Sequence, residues 1–63
     1  MGYLVSLKSI GTHLIMCDGY KINYQDNGFI NFFIEHKKGK KTEIQSVLRV
    51  RYDDVISIKR EEG

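Results

Sequence analysis

Glycines interrupt this chain at intervals too short for long helices. They stand at Gly11 and in three turn-forming groups, Asp18-Gly19, Asp26-Asn27-Gly28 and Lys38-Gly39. A glycine after Asp or Asn supplies the positive φ angles that tight hairpin turns need. The segments between these groups are rich in β-branched and aromatic residues, which favour strands. The spacing therefore predicts a meander of short strands joined by tight turns.

The segment after Asp18-Gly19 carries the clearest strand pattern. Tyr20, Ile22 and Tyr24 alternate there with polar residues, and a period of two indicates a strand with one buried face. A helix is disfavoured even in the longest glycine-free stretch, 40–62, because it holds seven Val, Ile and Thr residues. Such residues lose χ1 freedom in a helix.

The pattern predicts six strands, at 3–9, 12–17, 20–25, 29–36, 41–51 and 55–60. Asp53-Asp54 should form a short turn before the last of them. In the fifth strand, Ile44, Ser46, Leu48 and Val50 fall on one parity. The opposite parity holds Lys41, Glu43, Gln45, Arg49 and Arg51.

We expect one all-β domain spanning residues 1–63. Short strands with short loops predict a small antiparallel barrel or a strongly curled sheet of five to six strands. SH3-like, Sm-like and OB-like barrels all fit this pattern, and the sequence does not distinguish them.

Chain length and composition argue against several classes of protein. A chain of 63 residues buries only about 60% of the surface that its unfolded form exposes. We therefore expect a small core, no deep substrate pocket and no enzyme activity. The one cysteine, Cys17, excludes an internal disulfide and favours a reducing, cytoplasmic setting. No apolar run approaches the roughly 20 residues of a membrane-spanning helix.

The residues with reactive side chains do not form a recognisable site. His13 and Cys17 are four residues apart, which is about 13 Å along a strand and too far to share an ion. The adjacent Asp53 and Asp54 face opposite sides of an extended chain. The sequence contains neither of the two common glycine-rich phosphate loops. We therefore expect no metal, no cofactor and no catalytic residues, and we expect Cys17 to be a small apolar core residue.

The fourth predicted strand is apolar on both faces. Ile30, Phe32 and Ile34 form the more continuous set, which we expect to face the core. Phe29 and Phe33 form the second set. Such rings either pack against another part of the chain, contact a protein partner or stack on bases.

Positive charge is concentrated in the next part of the chain. Residues 36–51 carry a net charge of +5, and the remainder carries −3. The lysines flank Gly39, so the bland interpretation is a solvated hairpin tip. The alternative is a binding surface that continues along the fifth strand through Arg49 and Arg51, with Lys41 on the same face.

Two functional hypotheses remain for a non-catalytic binding module. The first, slightly favoured by the low net charge, is a protein-binding adaptor, an inhibitor or a subunit of a homo-oligomer, with Tyr20 or Tyr24 as further anchors. The second is binding of RNA or single-stranded DNA through the basic hairpin and the strand that follows it. Phe29 and Phe33 would be the anchors of a protein partner, with Arg49 and Arg51 at the rim. Nucleic acid would depend on the basic residues, with the two rings as stacking platforms. Together the candidate contact residues are Phe29, Phe33, Lys37, Lys38, Lys40, Lys41, Arg49 and Arg51.

Overall fold

The computed structural model describes residues 2–25 and 28–61. Six strands and one 3₁₀ turn, Tyr52–Asp54, make up its regular structure. The strands are β1 (Gly2–Leu7), β2 (Gly11–Met16), β3 (Gly19–Asn23), β4 (Phe29–Lys38), β5 (Lys41–Arg51) and β6 (Val55–Glu61). The prediction of six strands is confirmed, although β1 and β3 end two residues before their predicted ends and β4 ends two residues after its predicted end. Asp26 and Asn27 of the predicted third turn lie outside the described residues.

The strands form two antiparallel sheets of three strands each. Their orders are β2-β1-β6 and β3-β4-β5, so β1 and β4 are the central strands. The all-β prediction is confirmed. No strand ladder joins the two sheets in the part of the chain that the structure describes, and the predicted closed barrel is not found there.

Two short corners carry the chain from one sheet to the other. Cys17 and Asp18 separate β2 from β3, and the 3₁₀ turn separates β5 from β6. Asp54 fixes the second corner to the β1–β2 turn, because its backbone carbonyl accepts a bond from Lys8 N–H at 2.8 Å. Its carboxylate accepts a second bond from Ser9 N–H at 3.1 Å. The predicted turn at Asp53-Asp54 is therefore confirmed.

The core lies between the central strands of the two sheets. Its buried side chains come from β1, from β4 and from the first corner: Val5, Leu7, Cys17, Ile30 and Phe32. The core face of β4 is the predicted one, because Ile30 and Phe32 are buried and Ile34 packs against them. Aromatic contacts extend this core, with the ring centres of Tyr3 and Tyr20 5.3 Å apart.

A β-bulge in β5 changes which side chains share a face. Leu48 pairs with Phe32 and Ser46 pairs with Phe33, so Val47 has no partner opposite it in β4. Residues before the bulge therefore point to the opposite side from the one that a simple alternation gives. The predicted grouping of Ser46 with Leu48 is wrong: Ser46 donates its hydroxyl hydrogen to Asn31 on the outer face of the sheet.

The molecule is broad and thin. Its principal extents are 40 × 32 × 13 Å and its radius of gyration is 12.5 Å, compared with about 11 Å for a compact domain of this length. No helix within residues 2–25 and 28–61 is long and apolar enough to cross a membrane.

Candidate binding surface

The hairpin of β4 and β5 projects beyond the rest of its sheet. β3 pairs with β4 only from Phe29 to Phe33, whereas β5 stays paired with β4 as far as Lys38 and Lys41. Side chains 35–47 are all exposed. The four lysines therefore lie at the free end of a two-stranded arm, and the two arginines lie at its base.

The bulge at Val47 separates these basic residues into two groups. In the register of the hairpin, Arg49 lies opposite Asn31, and both point to the outer face of the β3-β4-β5 sheet. Lys41 lies opposite Lys38, whose position in β4 directs it to the other side. The prediction that Lys41 shares a face with the arginines is therefore wrong, because it counted residues across the bulge.

At the base of the arm, Arg49 is stacked on Phe29. The guanidinium carbon Cζ lies 3.6 Å from the centre of the Phe29 ring, a cation–π contact. Arg51, directly opposite Phe29, forms an exposed ion pair with Asp53 at 3.2 Å. Lys21 enters the same face from β3, opposite Asn31. This cluster, which we name the Phe29 face, combines an aromatic ring with three cations.

The Phe29 face borders a shallow depression in the sheet surface. Its lining combines Phe29 and Asn31 of β4 with Asn23 at the end of β3 and with Tyr24 directly after it. Tyr24 is 72% exposed and contacts Tyr52, with ring centres 5.4 Å apart. A flat ring or a planar amide fits such a surface, which offers π faces beside hydrogen-bonding groups.

Phe33 does not present an exposed ring. Only 8% of its surface is accessible, because its ring covers Gly19 on the neighbouring strand. Phe33 therefore contributes to the stability of the outer face and is not available as the exposed anchor that the sequence suggested.

The lysine tip is solvated on both of its sides. Lys38 forms an exposed ion pair with Glu43 at 3.5 Å. Lys37 lies on the opposite side, paired with Thr42, and Lys40 lies in the turn after Gly39, whose φ is 61°. His36 bonds through Nε2 to Gln45 at 2.9 Å. Four cations at the end of a thin arm can contact a partner, but they do not form a concave site.

Sequence reasoning missed one surface of the molecule. On the outer side of the β2-β1-β6 sheet, Leu14 lies opposite Leu4, and Met16 lies opposite Gly2. Leu14 is 54% exposed and Met16 is 59% exposed. Leu14, Ile15 and Met16 are three consecutive apolar residues, so the sequence does not indicate which face of this strand stays uncovered. Tyr52, whose ring contacts that of Tyr24, was also not identified from the sequence as a surface residue.

The acidic, histidine and cysteine side chains of the described residues do not converge on a metal site. No three His, Cys, Asp or Glu side chains in that part of the chain are placed to bind one metal ion. Cys17 is a free, buried thiol, as expected for a core residue. Burial raises its pKa above the ordinary thiol value, a bond with the Gly19 backbone opposes the rise, and the Asp18 charge adds to it.

Known proteins give no guide to this surface. No family model, curated protein or solved structure matches the chain.

Proposed function

We propose that the protein is a non-catalytic protein-binding module that acts as a subunit of a homo-oligomer. The observation that carries this proposal is the size of its surface. The accessible surface is 4857 Å², whereas a compact monomer of 7.3 kDa exposes about 4,200 Å². A chain that leaves this excess uncovered gains stability when another protein chain covers it.

Many of the exposed side chains are large and apolar. Ten large ones are exposed within residues 2–25 and 28–61: Ile10, Leu14, Met16, Tyr20, Ile22, Tyr24, Ile44, Val47, Tyr52 and Ile56. Only six apolar residues are buried there. Single exposed apolar residues are common on monomers, but grouped ones are typical of interaction sites. Leu14 and Met16 form such a group.

Analytical ultracentrifugation of the wild-type protein tests this function. We expect the average mass to rise above 7.3 kDa between low micromolar and near-millimolar concentration. The melting temperature should rise over the same range, because association stabilises the folded state by mass action. A mass that stays at the monomer value across the whole range would contradict the proposal.

A second candidate function is binding of RNA or single-stranded DNA, and the Phe29 face favours it. Arg49 stacked on Phe29 places a planar cation above a ring, beside Arg51 and Lys21. Single strands are bound by aromatic and cationic groups in this combination. The lysine tip adds charge that a phosphate backbone attracts.

Fluorescence anisotropy of a labelled oligonucleotide tests the second function. Binding should weaken steeply as salt rises, and Arg49→Gln should weaken it more than Lys59→Gln. Lys59 is a suitable control because it lies in β6, in the other sheet. Equal losses from the two variants would show that charge alone, and not the Phe29 face, determines binding.

We also infer that the two sheets form a partly open barrel. Both connections between the sheets are short corners, made by Cys17-Asp18 and by the 3₁₀ turn. In orthogonal sheet packings, strands pass from one sheet to the other at such corners. The bulges in the β1–β6 and β4–β5 pairs support this inference, because bulges increase local bending and twist.

A further inference from the structure

The free edge of β2 differs from the other edges of the two sheets. β2 pairs with β1 on one side only, so alternate N–H and C=O groups face outward. No residue of Gly11–Met16 is an Asp, Glu, Lys or Arg. The other edge strands carry the charges that discourage pairing with another sheet: Lys21 in β3, Lys41, Glu43, Arg49 and Arg51 in β5, and Lys59, Arg60 and Glu61 in β6.

The C-terminal half of the outer face of β2 is apolar as well as uncharged. Leu14 and Met16 lie over Gly2, since a Cβ atom there would be 3.1 Å from Met16 Sδ and 3.3 Å from Leu14 Cδ1. Leu4 lies directly opposite Leu14. We name Leu4, Leu14 and Met16 the β2 patch. The patch does not extend onto β6, because the residue opposite Leu4 in that strand is Lys59.

The lack of charged side chains on this edge favours a second copy of the same chain as its partner. A charged partner strand would find no opposite charge on Gly11–Met16. Two copies of β2 bring no Asp, Glu, Lys or Arg side chains together, whereas pairing along β5 or β6 would bring charged side chains, mostly cations, next to one another. The β2 patches of the two copies would also lie side by side and form one larger apolar surface. We propose that two copies pair in antiparallel fashion along β2 and form one six-stranded sheet, β6-β1-β2-β2-β1-β6.

Two-fold symmetry restricts the register of this pairing. Opposite residues in an antiparallel pair point to the same side of the sheet. An isologous pair about an axis perpendicular to the sheet must therefore match residues of equal parity. Centred on Leu14, the pairing sets Leu14 against Leu14 and Thr12 against Met16, so the two patches meet on one face.

The interface is small. β2 has six residues, and pairing along one strand of this length buries less than the roughly 1,200–2,000 Å² of a stable complex. We therefore expect a dimer whose population depends on concentration. This inference rests on the proposed function, because it identifies the surface through which the homo-oligomer forms.

Sedimentation velocity on matched variants tests the interface. Leu14→Lys puts a cation on the edge, opposite its own copy, and should raise the dimer dissociation constant about tenfold or more. Ile44→Lys is the control: Ile44 is 53% exposed against 54% for Leu14 and also lies on a strand, but in the projecting arm. It should leave the constant unchanged. Met16→Lys is a second edge variant, and circular dichroism melting checks that each variant folds.

The possible outcomes separate this inference from the proposed function. A wild-type dimer that resists both Leu14→Lys and Met16→Lys, with both variants folded, overturns the β2 interface but leaves self-association intact. A dimer that is lost in Ile44→Lys alone places the interface on the arm and also overturns the inference. A wild-type protein that is monomeric at every concentration overturns both proposals.

Discussion

The ring of Phe33 covers the backbone of Gly19 so closely that a side chain at that position has no room. A Cβ atom built on Gly19 would lie 2.9 Å from Phe33 Cζ. The two residues are direct partners in the β3–β4 ladder, and an aromatic ring covering a cross-strand glycine stabilises a sheet that the glycine would otherwise weaken. This contact explains how Phe33 is buried on the outer face of a sheet.

The contact predicts a coupled effect of mutations. Gly19→Ala should lower the free energy of unfolding by about 1–3 kcal/mol, because the Phe33 ring must move. In a Phe33→Leu background the same change should cost much less, since the ring is absent. Urea unfolding of the four proteins in a double-mutant cycle measures the coupling. Equal losses in both backgrounds would show that the contact is not the cause.

A second prediction compares two adjacent carboxylates. Asp54 accepts bonds from Ser9 N–H and from the Ser9 hydroxyl, so Asp54→Ala should lower the free energy of unfolding by about 1–2 kcal/mol. Asp53 makes only the exposed pair with Arg51, and Asp53→Ala should cost under about 0.5 kcal/mol. Denaturant titrations of both variants measure this. Similar losses would mean that the bonds of Asp54 do not hold the corner.

A third prediction concerns pH. Burial raises the pKa of the Cys17 thiol in the folded protein. The stability that depends on the protonated thiol is therefore fully present below the unfolded-state pKa, near pH 8.5. It is lost as the pH rises through the higher folded-state pKa. The stability gap between the wild type and Cys17→Ala should thus narrow from neutral to alkaline pH. A gap that stays constant would contradict the shift, and the variant serves as the control for all other titrating groups.

A fourth prediction tests the bulge. Val47 is 40% exposed and unpaired, so its deletion leaves Ser46 opposite Phe33 and Leu48 opposite Phe32. We expect the variant to fold with a loss under about 2 kcal/mol. Gln45 is regularly paired with Ile34. Its deletion should lower the free energy of unfolding by more, because it moves the β5 side chains at 41–44 to the opposite face of the arm. Chemical denaturation compares the two, and a larger loss from the Val47 deletion would contradict the prediction.

Local patterns were sufficient for most of the fold. The alternation of Tyr20 and Ile22 with polar residues correctly predicted which face of β3 points to the core. Ile30 and Phe32 correctly predicted the core face of β4. Both patterns depend only on neighbours in sequence. Gly39 marked the tip of the hairpin for the same reason, since its positive φ is a property of one residue.

The rest depends on contacts that are distant in sequence. Nothing near Val47 signals a bulge, because the bulge is a property of the register between β5 and β4. The packing of the Phe33 ring over Gly19 cannot be predicted without knowing that β3 lies beside β4. The exposure of Leu14 could not be predicted either, since Leu14, Ile15 and Met16 are all apolar and no local pattern shows which face of β2 stays uncovered. For the Phe29 face, the sequence therefore indicated Phe29, Arg49 and Arg51 as candidates, but neither Lys21 nor the stacking of Arg49 on Phe29.

The bulge at Val47 also determines what kind of object can touch all the cations of the hairpin at once. Arg49 looks out from one side of the ribbon and Lys41 from the other. A rigid, flat surface pressed against the protein meets one of these charges and misses the other. A chain would have to be flexible enough to pass around the β5 edge in order to contact both.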